Sequence, residues 1–402
     1  METLNRALSG GRLRRSGECT AATTSRRGML AVAAIAVALA VALLAPSTAS
    51  ATEAGVQAHL LWSDVSLAEI RGELDRAKLA GARHVRVDVG WSTLQPDRRG
   101  KLNHAYLARI DRVVREANRR DLSLIFTFWT TPCWASAAPD RLKQDCRGSW
   151  WERGVERYPP RRASDYADAL ALLVRRYRGR VDAWEVWNEP NLDDFLVSNR
   201  RAADYARLLR AAYPAAKRAH RGTTVLGGSL ATADFRFTQA LFRHGVRNRF
   251  DAWSIHPYSH DRSPLDAGEP RWRNTSFVRG IPLVRRVLER NRDAEPLWLT
   301  EVGWSTCTVR NHPDPWENCV SETNQARYLT LAYELMQRWG YVDVGIWFNL
   351  ENTGTNPADR IQNYGLSRID GSPKPAYSAF VAAAASVRAT DPLGRVRDRL
   401  SR

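Results

Sequence analysis

Past residue 52 the chain alternates short aliphatic, β-branched or aromatic runs with longer amphipathic stretches, and it does so eight times. The runs are VQAHLLW (56–62), HVRVDVGW (84–91), LSLIFTFW (122–129), VDAWEVWN (181–188), TVLGGSLA (224–231), DAWSIHPY (251–258), PLWLTEVGW (296–304) and VDVGIWFNL (342–350). Between them, segments such as SLAEIRGELDRAKLAG and SDYADALALLVRRY repeat apolar residues every three or four positions, the spacing of one helix face. No run of hairpin signals interrupts the alternation, so the strands are expected to run parallel under covering helices. Eight such units in roughly 330 residues predict an α/β fold, a single (β/α)8 TIM barrel over residues 52–387, with no linker and no second domain. HLLWSDVSL, after the first strand, holds no Gly, which argues against the phosphate-cradling turn of a dinucleotide fold. Ser66 and Ser164 are expected N-caps, and Gly81 and Gly340 expected helix stops.

The start of the chain points to a compartment. A polar segment with Arg12, Arg14, Arg15, Arg26 and Arg27 precedes the apolar run Met29–Ala45, and Ala49-Ser50-Ala51 follows as an A-x-A site. That order reads as an export signal over residues 1–51, cleaved after Ala51, and so as a secreted or extracytoplasmic protein. Left uncleaved, the run would be a membrane anchor, the one route by which membrane contact is expected. The Cys count agrees: with Cys19 in the leader, Cys133, Cys146, Cys307 and Cys319 form two local couples, as in an oxidising compartment. Bridges Cys133–Cys146 and Cys307–Cys319 are favoured over the two other pairings, each worth roughly 2–3 kcal/mol at most. None of these Cys sits in a C-x-x-C, and His59, His84, His244 and His312 have no ligand spacing, so no metal or cofactor is expected.

A formal net charge of +17 invites a nucleic-acid or membrane-surface reading. Only five residues are Lys, however, and the Arg excess is spread over the helices, as genomic base composition produces. No nucleic-acid partner is expected, a monomer is, and residues 388–402 read as a solvated basic tail.

In a barrel of this kind function collects at the carboxyl ends of the strands. Those ends read Arg86 and Trp91; Trp129 and Trp134; Asn188-Glu189-Pro190-Asn191; His256-Pro257-Tyr258; Thr300-Glu301; Trp347 and Asn349. Glu189 and Glu301 close strands four and seven, on opposite sides of the mouth. A carboxylate there is costly without a task or a cationic partner. Two of them, framed by aromatic and hydrogen-bonding side chains, suit sugars, whose ring faces stack on Trp or Tyr and whose hydroxyls need donors and acceptors.

VDAWEVWNEPN followed by LWLTEVGWST, with RVDVGWSTLQP and the HPY after strand six, resembles the clan A glycoside hydrolases across residues 56 to 385. The texture is most similar to family 39 and related bacterial exopolysaccharide hydrolases, then to family 5 cellulase-like enzymes. Family 5 usually has a His at the end of strand three, where this chain reads FTFWTTPCW. The resemblance implies a retaining glycosidase acting on a β-linked polysaccharide or oligosaccharide. Glu189 would be the acid/base, protonated at working pH, and Glu301 the nucleophile, held ionised by Arg86 and Tyr258. Asn188 would meet the sugar 2-hydroxyl and His256 would position Glu189 or a hydroxyl. Trp347 would be the platform beside the scissile bond, with Trp129 or Trp134 further out. Substrate contacts are thus expected from Arg86, Asn188, His256, Tyr258, Trp347, Trp129 and Trp134. The alternatives are a glycan-binding barrel without turnover and a transglycosylase on the same residues.

Overall fold

The structure, a computed structural model, describes residues 52–390. The export-signal reading of residues 1–51 lies outside them, as does the basic tail beyond Thr390. Eight parallel strands close into a barrel in chain order: β1 (Glu53–Gln57), β2 (His84–Gly90), β3 (Ser123–Trp129), β4 (Ala183–Val186), β5 (Thr224–Ala231), β6 (Ala252–His256), β7 (Leu297–Val302) and β8 (Val342–Trp347). Pairing of Glu53 with Val344 and of Val56 with Trp347 joins the last strand to the first. The covering helices are α1 (Leu67–Leu79), α2 (His104–Asn118), α3 (Ala163–Arg176), α4 (Arg201–Ala219), α5 (Phe235–Arg243), α6 (Phe277–Arg290), α7 (Glu322–Trp339) and α8 (Pro375–Thr390). Among the described residues no helix is long and apolar enough to cross a membrane.

β1 departs from expectation, lying at Glu53–Gln57 instead of 56–62. The apolar residues that suggested the later run, Leu60 and Leu61, are buried in the turn that follows the strand. Small residues carry the strand instead. A Cβ on Gly55 would meet Ile346 Cδ1 at 2.4 Å and the His84 carbonyl at 2.7 Å, so the barrel wall admits only Gly there. Ser66 caps α1 in a reciprocal box with Glu69, and Gly340 ends α7 in the left-handed conformation, φ +65°. Ser164 does not cap: α3 begins at Ala163, and Ser164 falls inside its first turn.

Strand side chains alternate between the barrel interior and the helix layer. Ile125, Ala183, Leu226, Ala252, Val344 and Ile346 form an apolar plug inside the barrel. Two residues further along β3 and β4 the same inward faces carry Thr127 and Glu185, and Arg86 lies with them. A polar layer therefore rests on an apolar floor, just below the mouth. Over the mouth, Cys133–Cys146 staples the loop after β3 and Cys307–Cys319 the loop after β7. The first loop has its own small core of Cys133, Ala138, Trp150 and Val155.

Candidate active site

The polar layer is built around Arg86, which is fully buried. Its Nε donates to Glu185 Oε2 at 2.8 Å, Nη1 to Glu301 Oε1 at 2.8 Å and to Gln57 Oε1 at 2.9 Å, and Nη2 to Asn188 Oδ1 at 2.8 Å. Glu185, equally buried, also accepts from the Thr127 and Thr300 hydroxyls at 2.7 Å each. Burial alone would raise the pKa of Glu185, but Arg86, His256 and the two hydroxyls bring it down to about 2. It is a fixed negative charge beneath the site.

Glu301 stands in β7, with Oε1 on Arg86 and Oε2 accepting from the Tyr258 hydroxyl at 2.6 Å. Burial pushes its pKa above the ordinary carboxylate value; His256 and Arg86 pull it down, Glu189 adds to the rise, and the Tyr258 bond lowers it. The two partners expected to hold it ionised are in place, and burial outweighs their effect. Tyr258 is driven well above the usual phenol range by burial and by Glu301, so it stays a donor.

Glu189 is positioned differently. Strict alternation beyond β4 would turn Trp187 into the barrel and Asn188 away from it. Trp187 instead adopts φ 70° and Glu189 φ 40°, a conformation that costs non-Gly residues about 1–3 kcal/mol each. The first reversal buries the Trp187 ring against Tyr166 and faces Asn188 toward Arg86. The second points Glu189 over the mouth, its amide donating to the Ser229 carbonyl at 2.8 Å. His256, at the end of β6, sits between the two carboxylates: Nδ1 is 2.9 Å from Glu189 Oε1 and 3.6 Å from Glu301 Oε1. Burial disfavours its charged form, but Glu301 and Glu189 prevail and raise its pKa.

One oxygen of Glu189, one of Glu301 and a His256 nitrogen all lie within 4.8 Å of one another. A cation could use such a trio, but both Glu301 oxygens are already engaged, one of them by the Arg86 guanidinium. The set is better suited to proton and charge transfer.

Several expected sugar contacts are corrected by burial. Trp347 is fully buried, tilted against Trp304 with Nε1 donating to the Tyr364 carbonyl, and cannot serve as a platform. The next residue, Phe348, has its half-buried ring at the mouth, edge-on to Tyr258 and Tyr364. Arg86 and His256 are likewise without accessible surface and offer no face to a sugar; at the mouth their contacts are the two Glu and, for Arg86, Asn188. Asn188, Tyr258 and Trp129 stay at the mouth, Trp129 donating to Asp88 at 3.1 Å. Trp134 is half-buried against Trp91, its Nε1 on the Gln95 carbonyl. Glu185, Gln57, Phe348 and Tyr364 were not anticipated. Glu185 had one legible signal, a carboxylate on an inward position of a buried strand, in the layer of Arg86.

Among known proteins, the family model described as Cellulase (glycosyl hydrolase family 5) matches residues 46–221. A β-xylosidase of Caldicellulosiruptor saccharolyticus is 26% identical over 234 residues, 55% of this chain and 46% of that protein. The chain thus spans about half the length of the curated relative it matches. A family 39 glycoside hydrolase from the gut symbiont Bacteroides cellulosilyticus superposes with a TM-score of 0.63 at 24% identity, over 84% of this chain and 64% of that one. The GH5_18 protein of Streptomyces cattleya, solved with GlcNAc, gives 0.62 at 20% identity over 84% and 80%. At these identities the structural likeness is one of fold. The model described as Glycosyl hydrolases family 39 matches residues 134–386, well over half of the chain and inclusive of Glu189 and Glu301, and the chain therefore belongs to that family.

Proposed function

We propose that this protein is a secreted retaining glycosidase that cleaves β-linked oligosaccharide or polysaccharide, with Glu189 as acid/base and Glu301 as nucleophile. The observation that carries the reading is the spacing of the two carboxylates, whose nearest oxygens fall within 4.8 Å at the mouth of the barrel. Retaining enzymes hold the pair at about 5–5.5 Å, and inverting ones leave about 6.5–9.5 Å for a water between them.

In the first step the Glu301 carboxylate attacks the anomeric carbon while Glu189 gives its proton to the glycosidic oxygen. The C–O bond breaks, the aglycone leaves as an alcohol, and a glycosyl ester forms on Glu301. In the second step the Glu189 carboxylate takes a proton from water, whose oxygen attacks the same carbon and frees Glu301. Arg86 and the Tyr258 hydroxyl hold the attacking carboxylate in place. His256 supplies a hydrogen bond to Glu189 that follows its change of charge between steps. Asn188, with its carbonyl tied to Arg86, presents its amide to the sugar. Phe348 takes the stacking role first expected of Trp347.

The test is release of sugar from β-linked polysaccharides and aryl β-glycosides, xylosides included because one relative is a β-xylosidase. The full chain with both disulfides formed is compared with Glu301→Gln. The wild type should release product that retains the anomeric configuration, and the variant should be slower by roughly 10⁴-fold or more. Equal release by both, or inverted product, overturns the assignment.

A further inference from the structure

We infer that Trp62 and His59, in the turn after β1, form a second sugar subsite on the non-reducing side of the cleavage point, so that the glycone is at least a disaccharide. The inference rests on the glycosidase reading above. Trp62 is 44% exposed, the largest aromatic side chain left open beside the mouth on that side, and it is not loose. Its ring stacks on His59 with centroids 4.2 Å apart and planes 20° apart. His59 is fixed from beneath by Asn349 Oδ1 at 3.2 Å and meets Phe348 edge-on at 6.1 Å. Phe348 in turn meets Tyr258 at 6.2 Å, and Tyr258 bonds the nucleophile. Four rings, each within 6.2 Å of the next, therefore lead from Glu301 out to the rim.

The direction of the track assigns the subsite. The leaving group departs toward the residue that protonates it, Glu189, which follows β4. In a ring of eight strands in chain order, β8 and β1 lie across the barrel from β4. Sugar on the Trp62 side is therefore the part that stays on the nucleophile. Its chemistry fits as well. Burial lowers the pKa of His59, so the Trp62–His59 pair is an uncharged flat shelf at neutral pH, suited to the C–H face of a pyranose. Hydrogen-bonding groups stand alongside: the half-buried Asp88 carboxylate, and Asn349 Nδ2, a buried donor with no protein partner among the described residues.

The probes are paired nitrophenyl β-glycosides carrying one or two sugars: xyloside and xylobioside, glucoside and cellobioside, mannoside and mannobioside. For the sugar accepted, the disaccharide glycoside should lose its nitrophenol in one step with a kcat/KM about tenfold above its one-sugar partner, the factor given by about 1.4 kcal/mol of transition-state binding. Trp62→Ala should erase that advantage, leaving the one-sugar rate and the melting temperature unchanged, and Trp62→Phe should keep most of it. A one-sugar glycoside turned over with no gain from the second sugar overturns the subsite alone. So does a disaccharide glycoside cut between its sugars, or a gain that survives Trp62→Ala. No turnover of any pair overturns the glycosidase reading and the subsite together.

Discussion

β4 and β7 bring a carboxylate to the same point by different means. Glu301 lies inside its strand, and side chains fix it: a guanidinium on one oxygen and a phenol on the other. Glu189 lies beyond its strand, and the backbone aims it, with two left-handed residues in three and an amide bonded to the Ser229 carbonyl, before His256 meets its carboxylate. The place of Glu301 is thus a matter of charge balance, and that of Glu189 chiefly a matter of chain path. The two ends should answer differently to substitution.

The largest difference concerns the proton. Glu189→Ala should lower kcat/KM by roughly 10²–10⁴ on glycosides with poor leaving groups and much less on nitrophenyl glycosides, whose leaving group needs no proton. A uniform loss across leaving groups would break the assignment of the acid to the β4 end. Next is the charge network under β7. Arg86→Met leaves Glu185 buried with no cation bonded to it, its remaining hydrogen bonds coming from the Thr127 and Thr300 hydroxyls, and urea unfolding should show a loss of about 3–5 kcal/mol. A loss below about 1 kcal/mol would mean that the layer is held by packing alone.

Glu185 also predicts an acid limb. Its pKa falls from 4.5 to about 2 on folding, so the unfolded chain binds the proton first as pH drops. The stability it contributes is complete above the unfolded value and is lost as pH falls from about 4.5 through about 2, on the order of 3 kcal/mol. Stability measured across that window should fall less steeply in Glu185→Gln than in the wild type; parallel curves would refute the shift. The smallest effect belongs to the backbone-held end. Ser229→Ala keeps the carbonyl that receives the Glu189 amide and removes only an Oγ 3.4 Å from His256. It should cost under about 1 kcal/mol with kcat unchanged. A tenfold fall in kcat would show that the Ser229 hydroxyl, through His256, also sets the position of Glu189.

The same contrast explains what the sequence could disclose. Thr224–Ala231 was readable to the residue because apolar and small residues run from the Arg221-Gly222 turn to the polar Thr232 and Asp234. Glu53–Gln57 was not, because small residues that merely avoid Ile346 look like no strand at all. Glu189, Glu301, Asn188, His256 and Tyr258 were legible as a set because polar residues at the ends of buried strands have few reasons to exist. Which of two neighbours faces the mouth was not legible. Trp347 and Phe348 are both aromatic, and the choice depends on where the backbone leaves the strand. Trp187 makes the same point in reverse, since its left-handed φ has no counterpart in composition or spacing.

Both disulfides lie past the carboxyl ends of the strands, in the walls of the mouth, and among the described residues no strand or long helix contains a cysteine. The covalent clamps therefore tie each loop within itself and not strand to strand. The two bridges constrain the loops that wall the mouth and leave the pairing of the strands untouched.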